Sequence, residues 1–339
     1  MELKTLTKYR SVWMALAIFW VVFFHAELKF ENSLMNYIKL IGYGGVDIFV
    51  FASGMGCYFS LLKNENTFLF LKKRCKKILP MYWIVLIPWV IFKLSTSGIT
   101  IPQIIGNFFC VQSFSATGND FNWYVSAMWL YYLLIPVFFL MIKNQKEKIS
   151  HLVILILTIL FSLSFLNSFN FIIIFTRIPL LFLGICLGKY INENIRLKKI
   201  HCFFAILCCV IGFCLLKFFI RYYETKLWLH GLWWYPFILI TPGLCMLISF
   251  ICYLCDKNKI GRFIVKGFEY VGNHTFEIYL VHILLFEIFK YCTNNGYIWN
   301  NNRNWILLIF ITAIGSILLT FVNNLFTKII VTCITKKST

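Results

Sequence analysis

Apolar stretches long enough to cross a bilayer recur along almost the whole chain, and nothing constrains its fold more. About ten can be counted, at about 11–28, 44–62, 79–96, 123–142, 150–167, 171–191, 201–220, 228–255, 274–292 and 304–332. About 20 apolar residues in a helix rising 1.5 Å per residue cross a hydrocarbon core ~30 Å thick. Inside lipid each segment must satisfy its own backbone N–H and C=O groups, so these runs read as helices. The polar connections are short, so residues 1–339 are expected to form one all-α polytopic membrane unit with no separate soluble domain. The chain is 60% hydrophobic and only 13% charged, where soluble domains are about 45–50% apolar. Residues 99–114 are too short and broken for a span and read as a re-entrant or interfacial helix on the outer side.

The net charge of +19 would suggest nucleic acid in a soluble protein. Here the basic residues lie in short connections between apolar runs. With the N-terminus inside, most of them fall on the inner side, in the segments holding Lys4 to Arg10, Lys63 to Lys77, Lys143 to Lys148, Lys189 to Lys199, Lys257 to Lys266 and Lys328 to Lys337. The positive-inside rule therefore accounts for the charge and places both termini in the cytoplasm, with a lipid bilayer rather than nucleic acid as partner. No small-residue cleavage site follows Lys4, Lys8 and Arg10, so the first apolar run is expected to be a retained span. Most of the 13 cysteines sit inside apolar runs as small hydrophobes. Cys252 and Cys255 form a CxxC without a second ligand pair, so no metal site is expected.

A few polar residues stand where lipid makes them costly. His25 closes the first span, and a neutral imidazole suits proton transfer from a hydroxyl; snorkelling to the outer interface is the alternative. Arg10 lies 15 residues earlier, about 60° away around the helix and roughly 22 Å along it. It is either an inner anchor or a cation on the histidine's face. Asp47 opens the second span, either orienting His25 or favouring a helix N-terminus. Ser53, Gly54 and Gly56 permit close helix packing. The run FLKKRCKKILPMYW, with Arg74 at its centre, is an inner-leaflet anchor or a clamp for phosphates. Trp123, Tyr124 and Ser126 head the fourth span, as an aromatic belt or the wall of a sugar-sized pocket. Arg177 is a cation on the outer side, against the orientation rule, and Glu277 and His282 lie within the ninth run; such residues need partners or water.

Taken together, these stretches resemble acyltransferase family 3, the integral-membrane polysaccharide O-acyltransferases of bacteria. The landmarks are the arginine-to-histidine stretch of the first span, GVDIFVFASG, RCKKILPMYW, WYVSAMWLYYLLIP, RIPLLFLG and FEIYLVH, in order over nearly the whole chain. The resemblance implies transfer of an acyl group, usually acetyl, from cytoplasmic acyl-CoA to a hydroxyl of an extracytoplasmic glycan or lipid-linked sugar. The setting would be a bacterial cell membrane, with no permanently bound cofactor and with surface-polysaccharide assembly proteins as possible partners. His25 matches the family's essential histidine and Arg177 the arginine of its R-x-P landmark. Two departures are visible. The family often carries an arginine eleven residues before the histidine, where this chain has Met14, and an acid in the fourth span, where it has Met128 and Trp129. Arg10 and Arg74 are then the expected donor-binding cations. Trp123, Tyr124, Ser126, Arg177, Glu277 and His282 are the expected acceptor or pocket residues, and His25 with Asp47 the expected catalytic pair. A glycan exporter or flippase without acyl transfer would also want a basic, aromatic-lined path.

Overall fold

The computed structural model describes residues 3–336 except 116, 144–149, 151, 155, 158–159, 161–168, 197 and 223–230. Among the described residues the chain is helical and holds no β-strand. A short α1 (Lys4–Lys8) leads into α2 (Arg10–His25), which stops where Ala26 turns to extended backbone. Next, α3 (Ser33–Leu40), capped by Asn32, passes through a 3-10 turn into α4 (Gly45–Lys63). Helix α5 (Thr67–Ser95) follows, then α6 (Ile101–Phe108) and α7 (Trp123–Lys143). Beyond it come α8 (Phe169–Phe175), α9 (Ile178–Asn192) and α10 (Lys199–Tyr222). The last helices are α11 (Phe237–Cys255), α12 (Lys259–Asn273), α13 (Thr275–Asn294) and α14 (Asn302–Lys336).

Seven helical stretches among the described residues are long and apolar enough to cross a membrane: 33–63, 67–95, 123–143, 170–192, 199–221, 237–255 and 302–325. The expected first and ninth spans are also helices but fall short of that test for physical reasons. Helix α2 has 16 residues, about 24 Å of rise, and α13 carries Glu277, Glu287 and Lys290. Two of those charges are compensated: Glu287 pairs with Lys93 at 2.5 Å and Lys290 with Glu27 at 3.2 Å. The expected span at 150–167 lies largely outside the described residues. Residues 256–273, read from sequence as an inner connection, form α12 instead. Its Lys259, Arg262 and Lys266 masked an apolar stripe of Ile260, Phe263 and Ile264, which stays exposed.

The packing is ordered from the centre outward. Helices α2, α4 and α9 form the core, and α4 buries Gly45 through Ala52 almost continuously. The α4–α9 crossing is close because each helix offers a glycine: a Cβ at Gly54 would strike the Leu181 carbonyl oxygen and one at Gly184 the Phe51 carbonyl oxygen. At the periphery α10 and α14 turn Phe203, Phe204, Phe310 and Phe321 outward, as expected where the surrounding solvent is hydrocarbon. Helix α5 starts twelve residues before the expected boundary. Asn66 caps it by accepting from Leu69 N at 2.9 Å, and the lysine-rich run has good helix propensity.

Candidate active site

Helices α2, α4, α5, α7 and α13 enclose a cavity of about 420 Å³. Spacing on α2 explains one wall: Arg10 and Met14, one turn apart, line it together, with Thr7 of α1 beside them. On α7 the pattern i, i+4, i+8 brings in Tyr124, Met128 and Tyr132. Arg10, Arg74 and Lys77 make one end basic, and Tyr124 and Tyr279 stand toward the other. No carboxylate is among the lining residues, and none of the three cations forms an ion pair among the described residues. The Arg74 guanidinium lies over Phe70 and Tyr132, 5.1 and 5.5 Å from the ring centres. Gly56, expected to serve helix packing, leaves room for Arg10 instead, since a Cβ there would meet the Arg10 guanidinium. The sequence reading thus named Arg10 and Arg74, and the structure brings them to one space with Lys77.

Past Tyr279 stands a histidine pair. The Tyr279 and His282 rings are 5.2 Å apart, one turn along α13. His282 Nε2 is 3.1 Å from His25 Nδ1, joining the far end of α2 to the middle of α13. The bonds assign the tautomers. His282 Nδ1 lies 3.2 Å from the Ile278 carbonyl oxygen, which only accepts, so that nitrogen carries the proton. His282 Nε2 is then a lone pair, the His25 Nδ1–H donates to it, and His25 Nε2 keeps a free lone pair. His282 is fully buried, while His25 is half-buried. The buried ring therefore orients the accessible one.

Asp47 does not fill that role. Its carboxylate pairs with Arg177 at 3.2 Å, both side chains almost wholly buried. Arg177 also donates to the Ile173 carbonyl at 2.8 Å and lies over Trp123, 5.2 Å from its ring centre. A carboxylate near a buried guanidinium is bound to pair with it rather than with a neutral ring. Arg177 and Trp123 are therefore part of a packed joint, not of an open acceptor surface. Ser126 takes a hydrogen bond from Ser113 at 2.8 Å and so belongs to the loop before α7. Glu277 is buried in the first turn of α13, where the helix N-terminus favours a negative charge.

The loop between α5 and α7, which contains residues 99–114, folds into a self-bonded plug. Asn107 donates to the carbonyls of Gln103 and Asn119, both at 2.8 Å, and Tyr82 donates to the Asn107 carbonyl at 2.9 Å. The plug ends at Asn122, whose Oδ1 accepts from Tyr124 N, Val125 N and the Tyr279 hydroxyl at 3.1, 3.2 and 3.2 Å. Lys77 belongs to the basic run read from sequence as a possible phosphate clamp, whereas Tyr279 and Asn122 were missed. Tyr279 stands three residues before His282 on nearly the same helix face, a spacing that could have marked it.

The family model for acyltransferase family 3, described as an acyltransferase domain, matches residues 14–322. The chain belongs to acyltransferase family 3. No curated protein and no solved structure matches it. Family membership makes the chain an acyltransferase of the membrane type, multi-pass by its apolar helices. Of the positions where it departs from the family's landmarks, Met14 and Met128 line the same cavity from α2 and α7, while Trp129 does not.

Proposed function

We propose that this acyltransferase moves an acyl group, acetyl as the simplest case, from cytoplasmic acyl-CoA to a hydroxyl of a cell-surface glycan or lipid-linked sugar. The observation that carries this reading is the polarity of the cavity: three cations with no ion pair among the described residues at one end, and beyond the tyrosines at the other a histidine pair with one free lone pair. Arg10, Arg74 and Lys77 suit the phosphates of a CoA donor. Met14, Phe49 and Met128 suit its uncharged arm. His25 Nε2 takes the proton of the acceptor hydroxyl as that oxygen attacks the thioester carbon, and the imidazolium returns the proton to the departing CoA thiolate. His282 holds the His25 Nδ1–H and stabilises the charge that forms on the ring.

The chain works in a bacterial cytoplasmic membrane as one unit of ten spans with both termini inside. This adds α2, α13 and the 150–167 segment to the seven apolar helices and obeys the charge bias of the connections. Its partners are acyl-CoA, the bilayer and the glycan acceptor, with surface-polysaccharide assembly proteins supplying that acceptor. No permanently bound cofactor or metal takes part. The test is transfer from labelled acetyl-CoA to glycan in vesicles carrying wild type or His25→Ala at equal abundance. Wild type should acylate and the variant should not. Retained activity in the variant removes His25 from the mechanism, and glycan translocation without consumption of acetyl-CoA would make the protein an exporter.

A further inference from the structure

Asn122 presents an anomaly that the proposed reaction does not use. It is 3% exposed, and its Oδ1 is fully engaged by Tyr124 N, Val125 N and the Tyr279 hydroxyl. Its Nδ2 is buried without a hydrogen-bond partner among the described residues. Turning the amide over would set N–H against two backbone N–H groups, so the orientation is fixed. Buried donors are nearly always satisfied, and one left over calls for a reason. The place supplies one, although Asn122 stands behind the cavity wall and not on it. Asn122 caps the 21-residue helix α7, whose N-terminus favours negative charge. The residues it holds, Tyr124 and Tyr279, both line the cavity, and their rings are 5.2 Å apart. Tyr279 in turn lies against His282, which holds His25.

We propose that Asn122 is a further catalytic residue, donating its Nδ2–H to the carbonyl oxygen of the bound acyl group as negative charge develops there. The inference rests on the acyl-transfer reading and names the group that reading lacks. As the acceptor oxygen bonds to the thioester carbon, His25 Nε2 takes its proton and the C=O π electrons move to the oxygen held by Asn122. When they return, the C–S bond breaks, CoA leaves as thiolate, and the His25 imidazolium protonates it. The ester and CoA–SH account for every atom and charge. A preorganised donor aimed at developing charge commonly contributes about 10²–10³ in kcat.

Asn122→Asp separates this role from capping, because its carboxylate still accepts from Tyr124 N, Val125 N and Tyr279 but has no N–H to give. Its kcat should fall about 10²–10³-fold, with the KM for acetyl-CoA changed by no more than a few-fold, and Asn122→Ala should lose at least as much. The second readout needs no turnover: the infrared stretch of carbonyl-13C acetyl-CoA bound to the His25→Ala protein. The band should lie below its solution position and return toward it when Asn122→Asp is added. Near-wild-type kcat in Asn122→Asp overturns the assignment. So does a bound carbonyl band at its solution position in the single His25→Ala protein, a result that requires no Asn122 variant to fold. Wild-type protein that neither binds nor consumes acetyl-CoA would instead sink the acyl-transfer reading itself, a different outcome from active wild type with an indifferent Asn122.

Discussion

At the scale of single residues, the chemistry is set from the buried end outward. Ile278 fixes the His282 tautomer, and His282 fixes that of His25. If this chain of bonds matters, the residue at 282 must accept a hydrogen bond and need not be an imidazole. His282→Ala is therefore expected to lower kcat by about 10²-fold or more, with little change in the KM for acyl-CoA. His282→Gln, whose amide oxygen can accept from His25 Nδ1–H, should retain clearly more activity. Steady-state kinetics in vesicles checks this. Equal losses in both variants with a raised KM would mean that His282 merely fills space. Sequence showed His282 as a costly polar residue in an apolar run but not its partner, which lies 257 positions away. Asp47 was the natural expectation for His25 because a carboxylate commonly orients an imidazole. What sequence could not reveal is that Arg177 takes the carboxylate first.

Between elements, that same pair is a clamp. Arg177 stands at the break between α8 and α9, and its guanidinium reaches Asp47 on α4, the Ile173 carbonyl on α8 and the Trp123 ring on α7. The glycine-to-glycine crossing of α4 and α9 lets the backbones come close enough for it. With both side chains at 1% and 2% exposure, solvent screens neither charge. Removing one partner strands the other, at a cost of about 3–5 kcal/mol. Replacing both with apolar groups of similar size avoids that penalty. Arg177→Met should thus be strongly destabilised in detergent unfolding, and the double variant Arg177→Met with Asp47→Leu should recover much of the loss. A double variant no better than the single one would show that the ion pair is not what holds these helices. The R-x-P landmark was visible in sequence as an outer-side cation. Its meaning was not, because the positive-inside rule speaks of loops while Arg177 is interior. Helix α12 was hidden for a related reason: its charges gave a loop-like composition to a helix with one exposed apolar stripe.

For the molecule as a whole, the membrane helices were legible because hydrocarbon leaves a backbone no alternative to satisfying itself. Their number was less so. Helix α2 is short and α13 carries Glu277, Glu287 and Lys290, so neither shows a pure length-and-apolarity pattern. The proposed arrangement, ten spans with both termini inside, would place the Arg74 and Lys77 mouth on the cytoplasmic side and the His25 end of α2 on the outer side. Helix α5 has 29 residues and rises about 43 Å, beyond a core of ~30 Å, so it is long enough for its basic first turns to extend past the membrane on whichever side they lie. Reporter fusions test this directly. A fluorescent protein, which matures only in the cytoplasm, should glow when joined after Asn66, Asn258 or Thr339. A periplasmic phosphatase should be active after Glu31, Asn119 or Tyr297. An active phosphatase after Asn258 or Thr339 would break the even count, and one after Asn66 would turn the basic mouth away from the only compartment that supplies acyl-CoA. The proposed direction of transfer depends on that mouth facing inward.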